Sequence, residues 1–338
     1  MDPAQTHAIE RFICGAAGAG AATLSGARLL SGGAVQENWL VDLELHGGAS
    51  AGTYACVLRC DSPTAGVSIS HGRAQEFALL KTVFAAGVTV PEPLWLCEDQ
   101  AVFGRPFFLM RRIRGTAAGH LLAKSDQYGG NRVQLAERLG RELARIHSVR
   151  PPQPALAFLP WYEEAPALRL IQQHRAFLDR HPTPHPALEW GLCWLARHAP
   201  PRAAVTLCHR DYRTGNYMVD EHGLSGILDW EFAGWSDPLE DLGWFCAKCW
   251  RFGRNEREAG GIGARQDFYR GYEAETGRPL DRAGIAYWEV MAHMTWAIIA
   301  IQQAERHVSG QEDSLLLALT GHIVPELEWE ILHLTEGD

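Results

Sequence analysis

One run of 24 residues constrains this chain more than any other part of its sequence. Residues 208–231 read CHRDYRTGNYMVDEHGLSGILDWE, in which two short apolar stretches flank a polar, glycine-containing turn. This pattern predicts a β-hairpin. Asp211 precedes the hairpin, Asn216 enters its first strand and Asp229 leaves its second, so all three side chains are expected at the same end of the hairpin.

These oxygen-bearing side chains suit Mg²⁺, which prefers carboxylate, amide carbonyl, water and phosphate oxygens. Phosphoryl transfer requires one carboxylate at the attacking hydroxyl, and an amide and a second carboxylate on the metal. The alternative is a surface hairpin whose Asp and Asn residues only form turns. The second carboxylate at the end of an apolar strand favours the catalytic interpretation. His209 and Arg210 are expected to brace the loop, and Glu231 is a further metal or substrate candidate.

Composition narrows the class of protein. The 338 residues are 46% hydrophobic and 21% charged, which is typical of a soluble globular protein. The net charge of −9 argues against a nucleic-acid binder. No apolar run is as long as a membrane span, and the first residues lack a secretory signal. The eight cysteines are scattered as in a reduced core, and Cys246 and Cys249 lack a second pair for zinc. We therefore expect a cytoplasmic protein.

The chain divides into two predicted parts, an α+β arrangement with a hinge near residues 111–116. Residues 1–113 are expected to form a small antiparallel sheet with one helix, and residues 114–338 a mainly helical lobe that carries the hairpin. The glycine-rich stretch 15–20 is expected to be a flexible linker, because it lacks the Lys-Ser/Thr of a phosphate-binding loop. A brief strand is expected at 101–103.

The first part contains the features expected of a nucleotide clamp. Gly32 and Gly33 lie between two predicted strands, where backbone N–H groups could approach phosphates, although taken alone they fit an ordinary hairpin turn better. Arg59 ends a predicted strand and could pair with phosphate oxygens. Glu76, in the helix that follows, is the carboxylate expected to position it. The alternative is that both are ordinary surface charges.

The chain resembles the aminoglycoside phosphotransferase and choline kinase superfamily, whose fold is similar to that of protein kinases. The resemblance is carried by CHRDYRTGN, LDWE and DPLEDL, which contain Asp211, Asp229 and Asp241. Within the superfamily the chain looks most like the kinase-like domain fused to some acyl-CoA dehydrogenases and its free-standing bacterial relatives.

The resemblance implies a two-lobe, protein-kinase-like fold that binds ATP or GTP with Mg²⁺. It implies that Asp211 is the catalytic base, that Asn216 and Asp229 are Mg²⁺ ligands, and that Asp241 supports them. Many members carry Lys where this chain has Arg59, which makes its nucleotide affinity harder to predict. The remaining implied nucleotide contacts are the phosphate-positioning pair Arg59 and Glu76, and backbone groups around Leu109 to Arg111 for adenine.

The acceptor is expected to be small, because Asp237-Pro238 follow Asp229 closely and leave no long activation segment for a protein substrate. A group of cations and an aromatic could hold an anionic substrate such as a hydroxyacyl-CoA, although a solvated basic helix end fits as well. The group comprises Lys248, Trp250, Arg251 and Arg254.

The sequence thus predicts a small-molecule kinase with an alcohol acceptor, acting as a monomer or homodimer without nucleic-acid or membrane partners. Two alternatives remain open. One is an aminoglycoside O-phosphotransferase that confers antibiotic resistance. The other is a nucleotide-binding regulatory module that has lost catalysis through Arg59.

Overall fold

The first part of the chain is an antiparallel sheet covered by helices, as the sequence predicts. The computed structural model describes residues 1–30, 36–61, 70–201 and 204–337. The five strands lie in the order β1-β2-β3-β5-β4, and every neighbouring pair is antiparallel. The elements are α1 (Pro3–Ala17), β1 (Ala21–Leu29), β2 (Gln36–His46), β3 (Gly52–Asp61), α2 (Arg73–Ala85), β4 (Pro93–Cys97), α3 (Gln100–Phe103) and β5 (Phe107–Arg111).

The N-terminal helix α1 corrects the expectation of a flexible linker at 15–20. The Asp2 side chain caps the helix, and the Gln5 side chain bonds back to the Asp2 backbone in a capping box. The helix ends at Gly18, whose φ of 61° lies in the left-handed region that glycine adopts without strain. The glycine-rich stretch is therefore a helix stop. The brief strand expected at 101–103 is also wrong, because these residues lie in α3.

The second part is mainly helical and carries two short antiparallel sheets, β7 with β8 and β6 with β9. The pair β7–β8 is the predicted hairpin. The elements are α4 (Gly119–Lys124), α5 (Arg132–Ile146), α6 (Pro166–Leu178), α7 (Pro186–Arg197), β6 (Thr206–Cys208), β7 (Tyr217–Asp220), β8 (Gly223–Ile227), β9 (Gly234–Ser236), α8 (Pro238–Cys246), α9 (Arg265–Thr276), α10 (Arg282–Val308), α11 (Leu315–Thr320) and α12 (Val324–Leu334).

The hairpin is tied to the segment that connects the two parts of the chain. Thr116 and Val219 exchange both backbone hydrogen bonds, at 2.8 and 3.1 Å. Gly115 makes this approach possible, because its φ is 119° and an added Cβ would lie 2.2 Å from the Val219 carbonyl oxygen. The connection is therefore fixed to the first strand of the predicted hairpin.

Helices α5 and α9 pack closely through two glycines. A Cβ added at Gly140 would lie 2.0 Å from the Phe268 carbonyl oxygen, and one at Gly271 would lie 1.9 Å from the Glu137 carbonyl oxygen. Only hydrogen in place of a side chain allows the two backbones this spacing. Both helices contribute to the central hydrophobic core, which also contains the hairpin residues Tyr217 and Ile227.

Helix α10 is long and apolar enough to cross a membrane by length and composition alone. However, 78% of its most apolar window is buried against the rest of the protein. The core helix of a soluble protein passes the same test, so this helix is weak support for a membrane span.

Candidate active site

The loop between β6 and β7 is held by one buried carboxylate, that of Asp241 in α8. Its two oxygens accept the backbone N–H groups of His209 and Arg210, both at 2.7 Å. Arg210 has a φ of 63°, a conformation that is costly for a side chain of this size and that these hydrogen bonds support. Burial opposes ionisation of Asp241, but the hydrogen bond and charge of His147 lower its pKa below the ordinary value. Asp241 thus fixes the backbone that presents Asp211.

His209 is fully buried and braces the same loop. Its Nε2 donates to the Leu228 carbonyl oxygen at 2.8 Å, and its Nδ1 accepts the Asp211 backbone N–H at 3.3 Å. The Arg210 side chain donates to Glu240 at 3.2 Å. These contacts agree with the architectural role predicted for both residues.

The side chain of Asp211, the predicted base, has three donors around it. Arg213 Nε and Trp244 Nε1 donate to its Oδ1 at 3.0 and 3.1 Å, and Asn216 Nδ2 donates to its Oδ2 at 2.5 Å. Burial raises the pKa of Asp211 above its ordinary value, although the Arg213 guanidinium opposes the shift. The carboxylate is therefore both desolvated and oriented, as a base at a reacting hydroxyl must be.

Asn216 and Asp229 lie at adjoining ends of the hairpin strands, as predicted. The Leu228 N–H donates to the Asn216 carbonyl oxygen at 2.8 Å. Because the Asn216 amide nitrogen is used on Asp211, its Oδ1 faces no donor among the residues that the structure describes. Asp229, with a φ of 65°, accepts one hydrogen bond from the described part of the chain, on Oδ1, and its side chain is 35% exposed. Oxygen atoms on both side chains thus remain available to a hard cation.

Arg59 links the sheet to the hairpin. It lies opposite Asn38 in the β2–β3 register, and its guanidinium contacts Glu76 and Asp229, each at 2.9 Å. Burial acts against the charge, but Glu76 and Asp229 outweigh it and raise the pKa of Arg59 above its ordinary value. Glu76 is buried and also pairs with Arg73. Arg59 and Glu76 are therefore not ordinary surface charges.

Glu231 forms a second link between sheet and hairpin. Gln36, the first residue of β2, donates from Nε2 to the Glu231 carboxylate at 2.6 Å. Burial, followed by the charge of Asp229, raises the pKa of Glu231 to about 7. Glu231 thus faces the same region as Asp229, which is consistent with its place as a secondary candidate.

A sequence profile described as "Phosphotransferase enzyme family" matches residues 28–278, which include the sheet, the hairpin and the site around it. The match spans well over half of the chain. This chain belongs to the phosphotransferase enzyme family.

Relatives and solved structures agree with this assignment. Acyl-CoA dehydrogenase family member 10 of Mus musculus is 28% identical over 77% of this phosphotransferase, and the match covers 26% of that relative. The chain thus spans about a quarter of the length of the curated relatives it matches.

Two solved structures show the same fold. A Ralstonia eutropha JMP134 protein of the aminoglycoside phosphotransferase type has a TM-score of 0.73 at 23% identity, with 97% of this chain and 98% of that chain covered. A spectinomycin phosphotransferase in complex with ADP and spectinomycin has a TM-score of 0.60 at 12% identity, with 98% and 99% covered. The predicted kinase-like, α+β fold is confirmed.

The expected adenine contacts lie on β5 of the phosphotransferase. Leu109 is fully buried and pairs with Leu58. The Arg111 N–H already donates to the Glu92 carbonyl oxygen at 2.8 Å, and its side chain pairs with the Glu92 carboxylate at 2.7 Å. An adenine contact from Arg111 would therefore have to use its carbonyl oxygen. Gly32 and Gly33 lie outside the described residues.

The basic group after α8 is largely occupied by partners within the phosphotransferase. The Arg251 guanidinium donates to the carbonyl oxygens of Cys246 and Asn255, at 2.8 and 3.2 Å. Lys248 pairs with Glu330, and Arg254 lies 3.3 Å from Glu256. Trp250 is buried. These contacts favour a structural role over the predicted substrate contacts of the three cations.

Two residues that the sequence did not single out contact Asp211. Arg213 follows it by two positions in the loop, a spacing that could have drawn attention to it. Trp244 lies three residues after Asp241 in α8, so both side chains share the helix face toward the loop. Recognising Trp244 required knowing that α8 packs against the loop, which the sequence alone does not show.

One buried group has metal-ligand chemistry outside the predicted Mg²⁺ site. Side-chain donor atoms of His147, Cys208 and Asp241 lie within 4.8 Å of one another. Both Asp241 oxygens accept the loop backbone, and burial raises the pKa of the Cys208 thiol well above its ordinary value. The group therefore serves as the anchor of the loop and is poorly suited to a metal, which would need the thiolate.

Proposed function

We propose that this chain is a Mg²⁺-dependent small-molecule kinase that transfers the γ-phosphate of ATP or GTP to a substrate hydroxyl. The arrangement that carries the proposal is the joint contact of Arg59 with Glu76 and Asp229, next to Asn216 and Asp211. An arginine of the sheet, paired with a glutamate of α2, thus meets the carboxylate at the end of the hairpin, as phosphoryl transfer requires.

The residues present suit a metal–nucleotide complex. The Asn216 Oδ1 and the Asp229 carboxylate would hold Mg²⁺, which when bound neutralises phosphate charge. The second Arg59 contact places a guanidinium beside Asp229, where it could pair with phosphate oxygens. The nucleotide would lie between the lobe of residues 1–113 and that of residues 114–338. ADP in the spectinomycin phosphotransferase of the same fold supports nucleotide binding here.

Asp211 would orient the acceptor hydroxyl and accept its proton. The hydroxyl oxygen bonds to the γ-phosphorus while the bond between that phosphorus and the β–γ bridging oxygen breaks, and the nucleoside diphosphate leaves with the electron pair. Arg213, Trp244 and Asn216 hold the carboxylate in one orientation. Catalysis by this chain is thus mainly positioning in a desolvated site.

For the acceptor we favour a hydroxyacyl-CoA-like or other anionic alcohol. The relationship to the mouse acyl-CoA dehydrogenase family member supports an acyl substrate. Spectinomycin, present in a solved structure of the same fold, supports the alternative of an aminoglycoside acceptor. The intact contacts of Arg59 weigh against the third alternative, a module without catalysis, because Arg at this position still reaches both carboxylates.

The first test is a phosphate-transfer screen with the purified full chain, with ATP and GTP as donors. Hydroxyacyl-CoAs, aminoglycosides, choline-like alcohols and sugar alcohols serve as acceptors. We expect Mg²⁺-dependent transfer to at least one class, and a loss of about 10³-fold in the Asp211→Asn variant, since a general base contributes 10²–10⁴-fold. Mg–nucleotide affinity should stay within about threefold, because Asp211 contacts the acceptor.

The surface substitution Arg270→Gln serves as the matched control, because Arg270 is 55% exposed on α9. It should retain full turnover. Full turnover in Asp211→Asn would remove Asp211 from the mechanism. An absence of transfer, together with an absence of Asp229-dependent nucleotide hydrolysis, would favour the non-catalytic module.

A further inference from the structure

The backbone of Asp229, a predicted metal ligand, lies in a conformation that its neighbours must support. Its φ of 65° is in the left-handed region, which is costly for a residue other than glycine and persists only where the surrounding structure holds it. On the upstream side, the buried ring of His209 donates to the Leu228 carbonyl oxygen at 2.8 Å. A second support is therefore expected on the downstream side.

His71, which lies just before α2, supplies that support with two hydrogen bonds. Its backbone N–H donates to the Glu231 carbonyl oxygen at 3.0 Å, and its ring Nε2 lies 2.7 Å from the Ala233 carbonyl oxygen. Because a carbonyl oxygen only accepts, the ring carries a proton on Nε2 and donates it. The turn that follows Asp229 is thus bonded at two positions to one residue from the part of the chain that forms the sheet.

The same residue is connected to the carboxylate that holds Arg59. The Arg73 guanidinium donates to the His71 carbonyl oxygen at 3.0 Å and also pairs with Glu76. Glu76 contacts Arg59, and Arg59 contacts Asp229. These contacts form a closed path, which we call the contact cycle, through Asp229, Arg59, Glu76, Arg73 and His71. His71 takes part in it through bonds to backbone carbonyls, whereas the other four contribute charges.

The His71 ring makes a second contact, of a different chemical kind. It packs edge-on against Phe158, with ring centroids 5.6 Å apart and an angle of 79° between the planes. A phenyl ring could supply this packing equally well. The bond to Ala233, in contrast, requires a donor nitrogen. A packing role and a hydrogen-bonding role of His71 can therefore be separated by the choice of substitution.

We propose that His71 is a positioning residue for the metal site. Its bond to Ala233 holds the turn that begins at Asp229, and so fixes the direction in which the Asp229 carboxylate meets Mg²⁺. This inference rests on the proposed function, because it concerns the metal expected at that site. Groups that orient a metal ligand typically change metal affinity or activity by about 10–100-fold when they are removed.

The test uses two substitutions that each keep one contact. His71→Phe keeps a ring for Phe158 but cannot donate to Ala233, whereas His71→Gln keeps a donor nitrogen but lacks the ring. Calorimetry with the full chain measures the Kd of Mg–ADP and, with a chelator present, that of ADP alone. We expect His71→Phe to raise the Kd of Mg–ADP about tenfold and to leave that of ADP within about twofold. His71→Gln should stay within about threefold of wild type for both ligands.

The matched control is His333→Phe, at a position on α12 where the histidine side chain is 63% exposed. It should bind Mg–ADP as wild type does, and urea unfolding compares the stability of all variants. An equal change for Mg–ADP and ADP alone in His71→Phe, or no change in either, would overturn the inference. Weaker Mg–ADP binding in His71→Gln than in His71→Phe would also overturn it, in favour of the packing role.

Transfer kinetics with Mg–ATP separate this inference from the proposed kinase. Where transfer occurs, His71→Phe should lower kcat about tenfold and leave the KM for the acceptor unchanged, because the turn lies at the metal site. Mg–ADP binding that depends on His71 without any phosphate transfer supports the positioning role and removes the kinase. Transfer that is unaffected by His71→Phe keeps the kinase and removes the positioning role.

Discussion

The two sides of the site are built on different principles. On the sheet side, Arg59, Glu76, Asp229 and Glu231 form a network in which almost every charge has a partner. On the helical side, Trp244, Trp250 and Trp296 pack on one another in the core, and Arg213 lies against Trp250. The sheet side suits a ligand of fixed charge and shape, as a metal–nucleotide complex is. The helical side consists mainly of packed aromatic rings, with Arg213 as the cation that pairs with Asp211.

This difference has an energetic consequence. In a network of buried charges, removing one member leaves the others unpaired and costs several kcal/mol. In a buried apolar cluster, the same change mainly removes packing contacts. Substitutions on the sheet side should therefore affect nucleotide use and folding together, and those in the tryptophan cluster mainly folding.

The largest effect is expected from Arg59→Met. The variant frees Asp229 from its cation and removes a donor to phosphate, so kcat/KM for the nucleotide should fall about 10²–10³-fold. Arg59→Lys keeps the charge but cannot fork between Glu76 and Asp229, and should lose no more than about tenfold. Steady-state kinetics with varied Mg–ATP measure both. An unchanged kcat/KM in Arg59→Met would end the distinction between the two sides.

A smaller effect is expected from Asp241→Asn, which changes the loop anchor that both sides share. The Asp241 carboxylate accepts two backbone N–H groups, whereas the amide nitrogen of Asn would face one of them with a second donor. The free energy of unfolding should therefore fall by about 2–3 kcal/mol. Urea unfolding at pH 7 measures this change. Glu312→Gln, in an exposed pair with Arg306, is the control and should cost less than about 1 kcal/mol. Equal small losses in both variants would contradict the anchor role.

The smallest expected effect concerns His174, a buried histidine of α6. Burial and the positive charge of Arg210 lower the pKa of His174 to about 4, from an ordinary value of 6.5. The unfolded chain thus binds a proton that the folded protein does not, and His174 costs stability as the pH falls from about 6.5 toward 4. At pH 5 this cost is about 2 kcal/mol.

His174→Gln should therefore lose less stability than wild type between pH 7 and pH 5, as measured by urea unfolding at both values. His293, whose pKa burial also lowers to about 4, remains in the variant and accounts for part of the residual pH dependence. The same pH dependence in both proteins would show that His174 is not held neutral by its surroundings.

The sequence was most informative where function depends on residues close together in the chain. Asp211, Asn216 and Asp229 could be placed because a hairpin of known length brings its two ends together. The Arg59–Glu76 contact was also predictable, since a strand followed by a helix leaves few other partners for two charges that become buried. The family and the kinase-like α+β fold followed from the same stretches and are confirmed.

The rest depended on packing that the sequence does not display. Trp244 reaches Asp211 across 33 residues because α8 packs beneath the loop. The cations after α8 were expected to bind a substrate through their charge. Arg251 instead donates to a backbone carbonyl oxygen, a contact that the pattern of charges does not predict. Helix α1 is a different case, because the sequence contains the evidence for it. Asp2 and Gln5 have the spacing of a capping box, but the glycines that end the helix favoured a linker instead.

The glycine contact between α5 and α9 reaches further than packing alone. The Tyr212 hydroxyl donates to the Leu139 carbonyl oxygen of α5 at 2.8 Å. The residue next to Asp211 is therefore hydrogen-bonded to a helix whose distance from α9 is set by Gly140 and Gly271. A methyl group at either glycine would push α5 away from α9 and carry Tyr212 with it. The position of the predicted base therefore depends on residues outside the site, and a substitution at either glycine should shift Asp211 without changing any residue expected to contact a ligand.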